Sequence, residues 1–158
     1  MREVFNMDKI TLLQNARVHL VPILEKPGGI IYSSHETLKP ADIYLLGFNP
    51  GGSDGCPIKQ NISKLLTNTE NSYLDQKWKN GISEYPRGEA PLQKRVQWLL
   101  KELGQDPREV CASNLIFAQS RQASDISYDI AKTCWPVHED ILRIVKPKLI
   151  IDFGNSKV

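Results

Sequence analysis

Apolar positions along the chain change their spacing several times, and each change marks an element. In MDKITLLQNARVHLVPIL, Ile10, Leu13, Arg17, Leu20 and Leu24 recur at helical spacing behind Asp8, a candidate N-cap, and Pro22 is expected to end or kink that helix. EKPGGIIYSSHETLKP is a turn, a β-branched patch at Ile30, Ile31 and Tyr32 that could supply an edge strand, and a polar loop. DIYLLGF is continuously apolar, as a parallel strand covered on both faces should be. CPIKQNISKLLTN puts Ile58, Ile62, Leu65 and Leu66 on one helical face, with Pro57 suited to the first turn. The polar stretch TNTENSYLDQKWKNGISEYPRGEA lacks periodicity, and a connection of that length is usually functional or mobile.

APLQKRVQWLLKELGQDP is the clearest helix, with Leu92, Val96, Leu99, Leu100 and Leu103 as its stripe and Gly104 at its end. VCASNLIFAQ reads as a second buried strand, and PKLIIDFGN as a third. Between them SDISYDIAKTCWPVHEDILRIVKP is helical, with Pro136 forcing a kink or a fresh start. Alternating strands and helices predict an α/β fold in which a short parallel sheet lies between helix layers, in one domain over residues 1–158.

Composition narrows the class. An apolar share of 41% and a charged share of 24% belong to a soluble globular protein. No apolar run approaches the ~20 residues that span a bilayer, and the N-terminal stretch lacks a signal-peptide core, so a cytoplasmic location without a membrane partner is expected. Net charge is +2 and pI about 8.4, which permits a nucleic-acid partner without arguing for one. Cys56, Cys111 and Cys134 are too few and too dispersed for a disulfide framework or a zinc site, so reduced thiols and no metal are expected.

The chemistry concentrates in ADIYLLGFNPGGSDG. Ligands of open parallel sheets bind beyond the carboxyl ends of the strands. Three such ends are expected: Phe48-Asn49-Pro50, Ala118-Gln119-Ser120 and Gly154-Asn155. Pro50 pushes Asn49 into an extended conformation, while Gly51 and Gly52 have no Cβ to keep a ligand from the main chain. The following helix is expected to aim its first N–H groups at the same space. Asn-Pro-Gly-Gly is equally readable as a plain turn.

LLGFNPGGS resembles the first motif of the uracil-DNA glycosylase superfamily, in the G-x-N-P-G form of mismatch-specific and single-strand-selective members. CASNLIFAQS resembles the family's second-strand segment, and CWPVHEDILRIVKPKLIIDFG the helix and strand that follow it. The similarity runs in order over roughly residues 40 to 154. It implies a uracil-DNA glycosylase-like three-layer α/β/α sandwich that removes uracil or a related damaged base from DNA, a hydrolase of base-excision repair. By position, Asn49 would hold the attacking water, and Gly47, Phe48, Pro50, Gly51 and Gly52 would contact the base. Asn114 would pair with the pyrimidine edge.

The likeness has gaps. The family's last strand, with its base-supporting histidine and DNA wedge, has no counterpart before Val158. His19, His35 and His138 lie earlier, with His138 expected on a helix face as a surface or capping histidine. A weak or inactive glycosylase, or a fragment of a longer one, is the expectation. The aromatic that stacks on the base is also missing: Ile62 is the positional counterpart, while Tyr73 and Trp78 lie in the long loop. Cys134 matches one cysteine of the iron–sulfur branch, and one ligand of four holds no cluster, so no cofactor is expected. Lys59, Lys64, Lys77, Lys79, Arg87, Lys94 and Arg95 could track phosphates or form solvated helix faces. Two other readings stay open: a non-catalytic nucleic-acid or nucleotide-binding module, and a small-molecule enzyme holding a phosphate. The lack of a P-loop lysine lowers the latter.

Overall fold

The computed structural model describes residues 2–52 and 55–153. Its elements are α1 (Arg2–His19), β1 (Ile43–Gly47), α2 (Ile58–Lys64), β2 (Lys79–Asn80), β3 (Ser83–Glu84), α3 (Pro91–Glu102), β4 (Cys111–Asn114), α4 (Ile130–Val145) and β5 (Leu149–Asp152). β1 lies between β4 and β5 in an all-parallel sheet, and β2 and β3 form a separate hairpin.

Alternation along β1 divides the core. Tyr44 and its neighbour Cys111 face a cluster with Leu12, Ala16 and Leu20 of α1 and Val137, Ile141 and Ile144 of α4. Ile43, Leu45 and Ala112 face the other way, against Val96 and Leu100 of α3 and Tyr73. Period-two side-chain direction thus gives the sheet an apolar core on each side, with helices over both. No helix among the described residues is long and apolar enough to cross a membrane.

Several expectations need correction. α1 begins at Arg2, so Asp8 lies inside the helix and caps nothing. Its buried stripe is Leu12, Ala16 and Leu20, spaced by four, while Ile10 is exposed, because α4 rather than the sheet sets the buried face. Pro22 falls in a 3-10 turn after the helix has ended. The patch at Ile30 is no strand: it meets β4 through the isolated antiparallel bridge of Ile31 with Ser113. Two serine hydroxyls stand in for a ladder there, Ser113 Oγ donating to Ile30 O (2.5 Å) and Ser33 Oγ accepting from Ala112 N (3.1 Å). Pro136 does not restart the helix: α4 runs on through it from Ile130, and the forfeited main-chain bond is outweighed by the burial of Cys134, Val137 and Ile141 around it. β4 stops at Asn114, short of the predicted strand. β5 is mostly exposed, with Leu149 and Ile150 about half accessible, whereas β4 at the opposite edge is buried.

The long polar stretch is neither structureless nor loose. Buried Gln93 accepts from Ala90 N (2.9 Å) and donates from Nε2 to Ser72 O (2.7 Å) and Gln76 O (2.8 Å). One turn on, Gln97 Nε2 donates to Tyr73 O (2.7 Å) and Gly88 O (2.9 Å). Two amides on α3 therefore hold the chain that carries Tyr73 and Trp78 against the sheet. Gln93→Leu strands Ala90 N and Ser72 O and leaves Gln76 O only the long bond from Gly88 N (3.4 Å), and we expect a loss of about 1–3 kcal/mol, read from the urea midpoint.

Candidate functional site

β1 and β4 end side by side, with Gly47 paired to Asn114. Their extensions stay together: Leu115 N donates to Gly47 O (2.7 Å), Ile116 N to Phe48 O (2.9 Å) and Ser120 N to Pro50 O (3.1 Å). Gln119 clasps the glycine loop, its Nε2 donating to Gly51 O (2.5 Å) and its Oε1 accepting from Gly55 N (2.9 Å). Gly52 sits at φ +101°, a conformation that side chains rarely adopt, so the second glycine of the pair serves the turn itself.

Asn49 is held by one half of its amide. Nδ2 donates to Ser120 Oγ (2.8 Å), with Pro50 O at 3.1 Å and Ala118 O at 3.4 Å. Among the described residues no donor reaches Oδ1. The side chain is thereby fixed with its acceptor end uncommitted.

Asn114 differs. It is 6% exposed, yet its side-chain amide has no hydrogen bond to any described residue. Among the described residues no fully buried side-chain nitrogen or oxygen lacks a partner, so this amide meets the open space in front of it. That space is a cleft of about 1000 Å³ lined by both asparagines, Gly47, Phe48, Pro50, Gly51 and Gly52. A Cβ on Gly47 would land on Asn114 Oδ1 and at 3.3 Å from the rim of the Phe153 ring, whereas one on Gly51 would meet nothing within 4 Å. Gly47 makes room for the amide; Gly51 is bare on its open side.

Aromatic rings border the cleft. Tyr73, Trp78, Phe153 and Tyr32 all line it, Tyr73 standing 5.7 Å from Trp78 and edge-on to Phe153 at 6.4 Å. Burial pushes the Tyr73 and Tyr32 phenols well above their ordinary range, so both stay neutral hydroxyls. Ile62, the positional counterpart of a stacking ring, is buried in the core of α1 and α4. The Phe48 ring stacks on Tyr128 at 6.4 Å and packs against the same core. Phe153 escaped the sequence reading although it directly follows an apolar strand. Gly154 and Asn155 lie outside the described residues.

The cations sort out unevenly. Among the described residues Lys64, Lys77, Lys79 and Arg95 line the cleft, joined by Arg121, against one carboxylate, Glu70. Lys59 pairs with Glu25 (2.6 Å), Lys94 with Glu89 (2.5 Å) and Lys77 with Glu84 (3.2 Å), and Arg87 does not line the cleft. The remaining four have no ion pair with a described residue, so the cleft is electropositive.

Two expectations fail here. The first amides of α2 are not aimed at the cleft: Ile58 N donates to Lys26 O (2.9 Å) and Lys59 N to Leu24 O (3.1 Å). A helix start already capped by main-chain carbonyls offers an anion nothing. His138 is not at the surface either. It is 1% exposed, with Nε2 on Leu115 O (3.2 Å) and Nδ1 on Tyr44 Oη (3.0 Å). A carbonyl can only accept, so Nε2 carries the hydrogen and the tyrosine hydroxyl donates to Nδ1. Burial lowers this imidazole to about 4. None of the three histidines lines the cleft. Cys134 accepts from Phe117 N (3.5 Å), and burial raises its thiol to about 11.

No protein-family model matches the chain, and no curated protein matches it.

The buried imidazole makes stability pH-dependent. Unfolded, it takes a proton near its ordinary 6.5; folded, only near 4. The unfolded chain therefore binds more protons across that window, and stability falls on acidification from about pH 6.5, by up to about 3 kcal/mol. His138→Gln should flatten this arm of urea midpoint against pH. The two glycines should separate in the same assay. Gly47→Ala costs roughly 1–3 kcal/mol by crowding Asn114. Gly51→Ala stays within about 0.5 kcal/mol of the parent.

Proposed function

We propose that the chain is a uracil-DNA glycosylase-like protein of base-excision repair, hydrolysing the N-glycosidic bond of uracil or a related damaged base in DNA, within a three-layer fold of that type. One observation carries this reading: two amides from adjacent strand ends face one cleft, and among the described residues only the nitrogen of Asn49 is tied back and the Asn114 amide has no partner. An unpaired, largely buried amide is expensive unless a ligand completes it. One face of an amide both donates and accepts, which matches the edge of a pyrimidine dione. Asn49 Oδ1 orients water without removing its proton, so its contribution is positioning. The aromatic border gives an extruded base a flat surface, worth ~1–3 kcal/mol. The unpaired cations suit a phosphate backbone and a leaving group that departs as an anion.

A specific observation favours a second reading, a weak or inactive module that binds nucleic acid or nucleotides without turnover. No histidine lines the cleft among the described residues, and loss of one charge-stabilising donor typically costs 100- to 1000-fold in rate.

Uracil-containing single- and double-stranded oligonucleotides, scored on gels for cleavage and for retention, separate these readings. Excision by the parent chain that falls about 100-fold in Asn49→Ala supports the glycosylase. Undiminished cleavage by that variant removes Asn49 from the mechanism. Retention without cleavage favours the module, and neither leaves no role for nucleic acid. Asn114→Ala should raise KM for uracil substrates, and Gly51→Ala should weaken binding despite its unchanged stability.

A further inference from the structure

The hairpin of β2 and β3 is short, braced and oddly tipped. Asn80 pairs with Ser83 and Lys79 with Glu84, leaving Gly81 and Ile82 as a two-residue turn. Gly81 has φ +59°, the positive angle that a II′ turn requires at its first central position. Ile82, at the second, is 106% exposed, more than in an extended reference peptide. A polar residue serves that position at no cost, whereas isoleucine there contributes nothing to any core. A lone exposed apolar side chain is ordinary on a flat surface. This one stands at the apex of a hairpin.

The stem is fastened and faces the cleft. Tyr85 N donates to Trp78 O (2.8 Å), and Lys77 Nζ bridges to Glu84 (3.2 Å). Trp78 leans on buried Tyr73, and Lys77, Trp78 and Lys79 all line the cleft that holds Asn49 and Asn114. The arm therefore combines an apolar tip, an aromatic root packed at a tilt on Tyr73 and cations at its base. Proteins that unstack duplex DNA insert apolar wedges of this kind between base steps while cations hold the flanking phosphates.

We propose that this hairpin is a duplex-opening wedge, with Ile82 entering the base stack beside the nucleotide drawn into the cleft. This rests on the reading of the cleft as a site for a base extruded from DNA. The wedge is needed only where a stack must be broken, so it separates paired from unpaired substrates.

The test compares the parent chain, Ile82→Ser and Ile82→Leu on uracil oligonucleotides, single-stranded and duplex, with 2-aminopurine beside the uracil to report unstacking. Serine fits the turn, and the melting temperature should move by less than about 2 °C. We expect Ile82→Ser to lose roughly tenfold or more on duplex, in excision or in 2-aminopurine signal on binding, while single-strand handling stays within about twofold and Ile82→Leu restores the duplex. An equal loss on both substrates, no loss on duplex, or a parent chain that handles only single strands overturns the wedge and leaves the proposed function standing. A parent chain that neither binds nor cleaves either substrate overturns both.

Discussion

The hydrogen bond from Asn49 Nδ2 to Ser120 Oγ is the constraint from which the rest of the site follows. It ties the end of β1 to the chain beyond β4, with Ser120 N on Pro50 O and the Gln119 clasp on Gly51 beside it. Two strand ends that could splay apart become one rigid edge. A primary amide has two donors and one acceptor group, so anchoring by the donors releases the acceptor in a single fixed direction. Serine and asparagine thereby divide the work: one fixes geometry, the other presents an oxygen. Preorganisation of this kind lowers a barrier because nothing has to be rearranged at the moment of reaction.

The second amide is held by different means. Asn114 is placed by strand register against a residue with no side chain, and the carbonyl that follows it is fixed from below by a neutral imidazole. His138, Tyr44 and Leu115 form a buried relay that keeps the end of β4 level with Gly47. Its polarity depends on His138 staying uncharged, which burial ensures at neutral pH. The cleft side of the sheet thus rests on a polar layer that never reaches solvent.

The sheet's three strands, the α3 helix and the Asn-Pro-Gly-Gly turn were legible in the sequence, because each is a local pattern: a continuous apolar run, a helical stripe, a cluster of turn residues. Asn49 was legible for the same reason. Asn114 was not; flanked by apolar residues on a strand, it stood out only through the resemblance. What failed to show is nonlocal. The carbonyls of Leu24 and Lys26 that occupy the start of α2 lie more than thirty residues away in the chain, so the helix looked open. Burial of His138 depends on Tyr44, 94 residues distant. Gln93 and Gln97 lie off the leucine stripe of α3, and nothing in their spacing reveals that they hold the polar stretch in place. Isoleucine at the tip of a hairpin is invisible until the two-residue strands beside it are known.

These features together limit the chemistry the cleft can do. Tyr32 and Tyr73 are neutral and therefore donors, the amides cannot abstract a proton, and no histidine borders the space. On the proposed reading, none of these groups can begin the mechanism by deprotonating water, and Glu70 is the carboxylate among the described lining residues. Departure of the base as an anion has what it needs, since hydroxyls, amides and unpaired cations all stabilise negative charge. A sugar cation formed in that way reacts with neutral water, for which an oriented amide oxygen suffices. On that reading the site is suited to leaving-group stabilisation first and attack second, an order favoured by the excess of cations over carboxylates among the described lining residues.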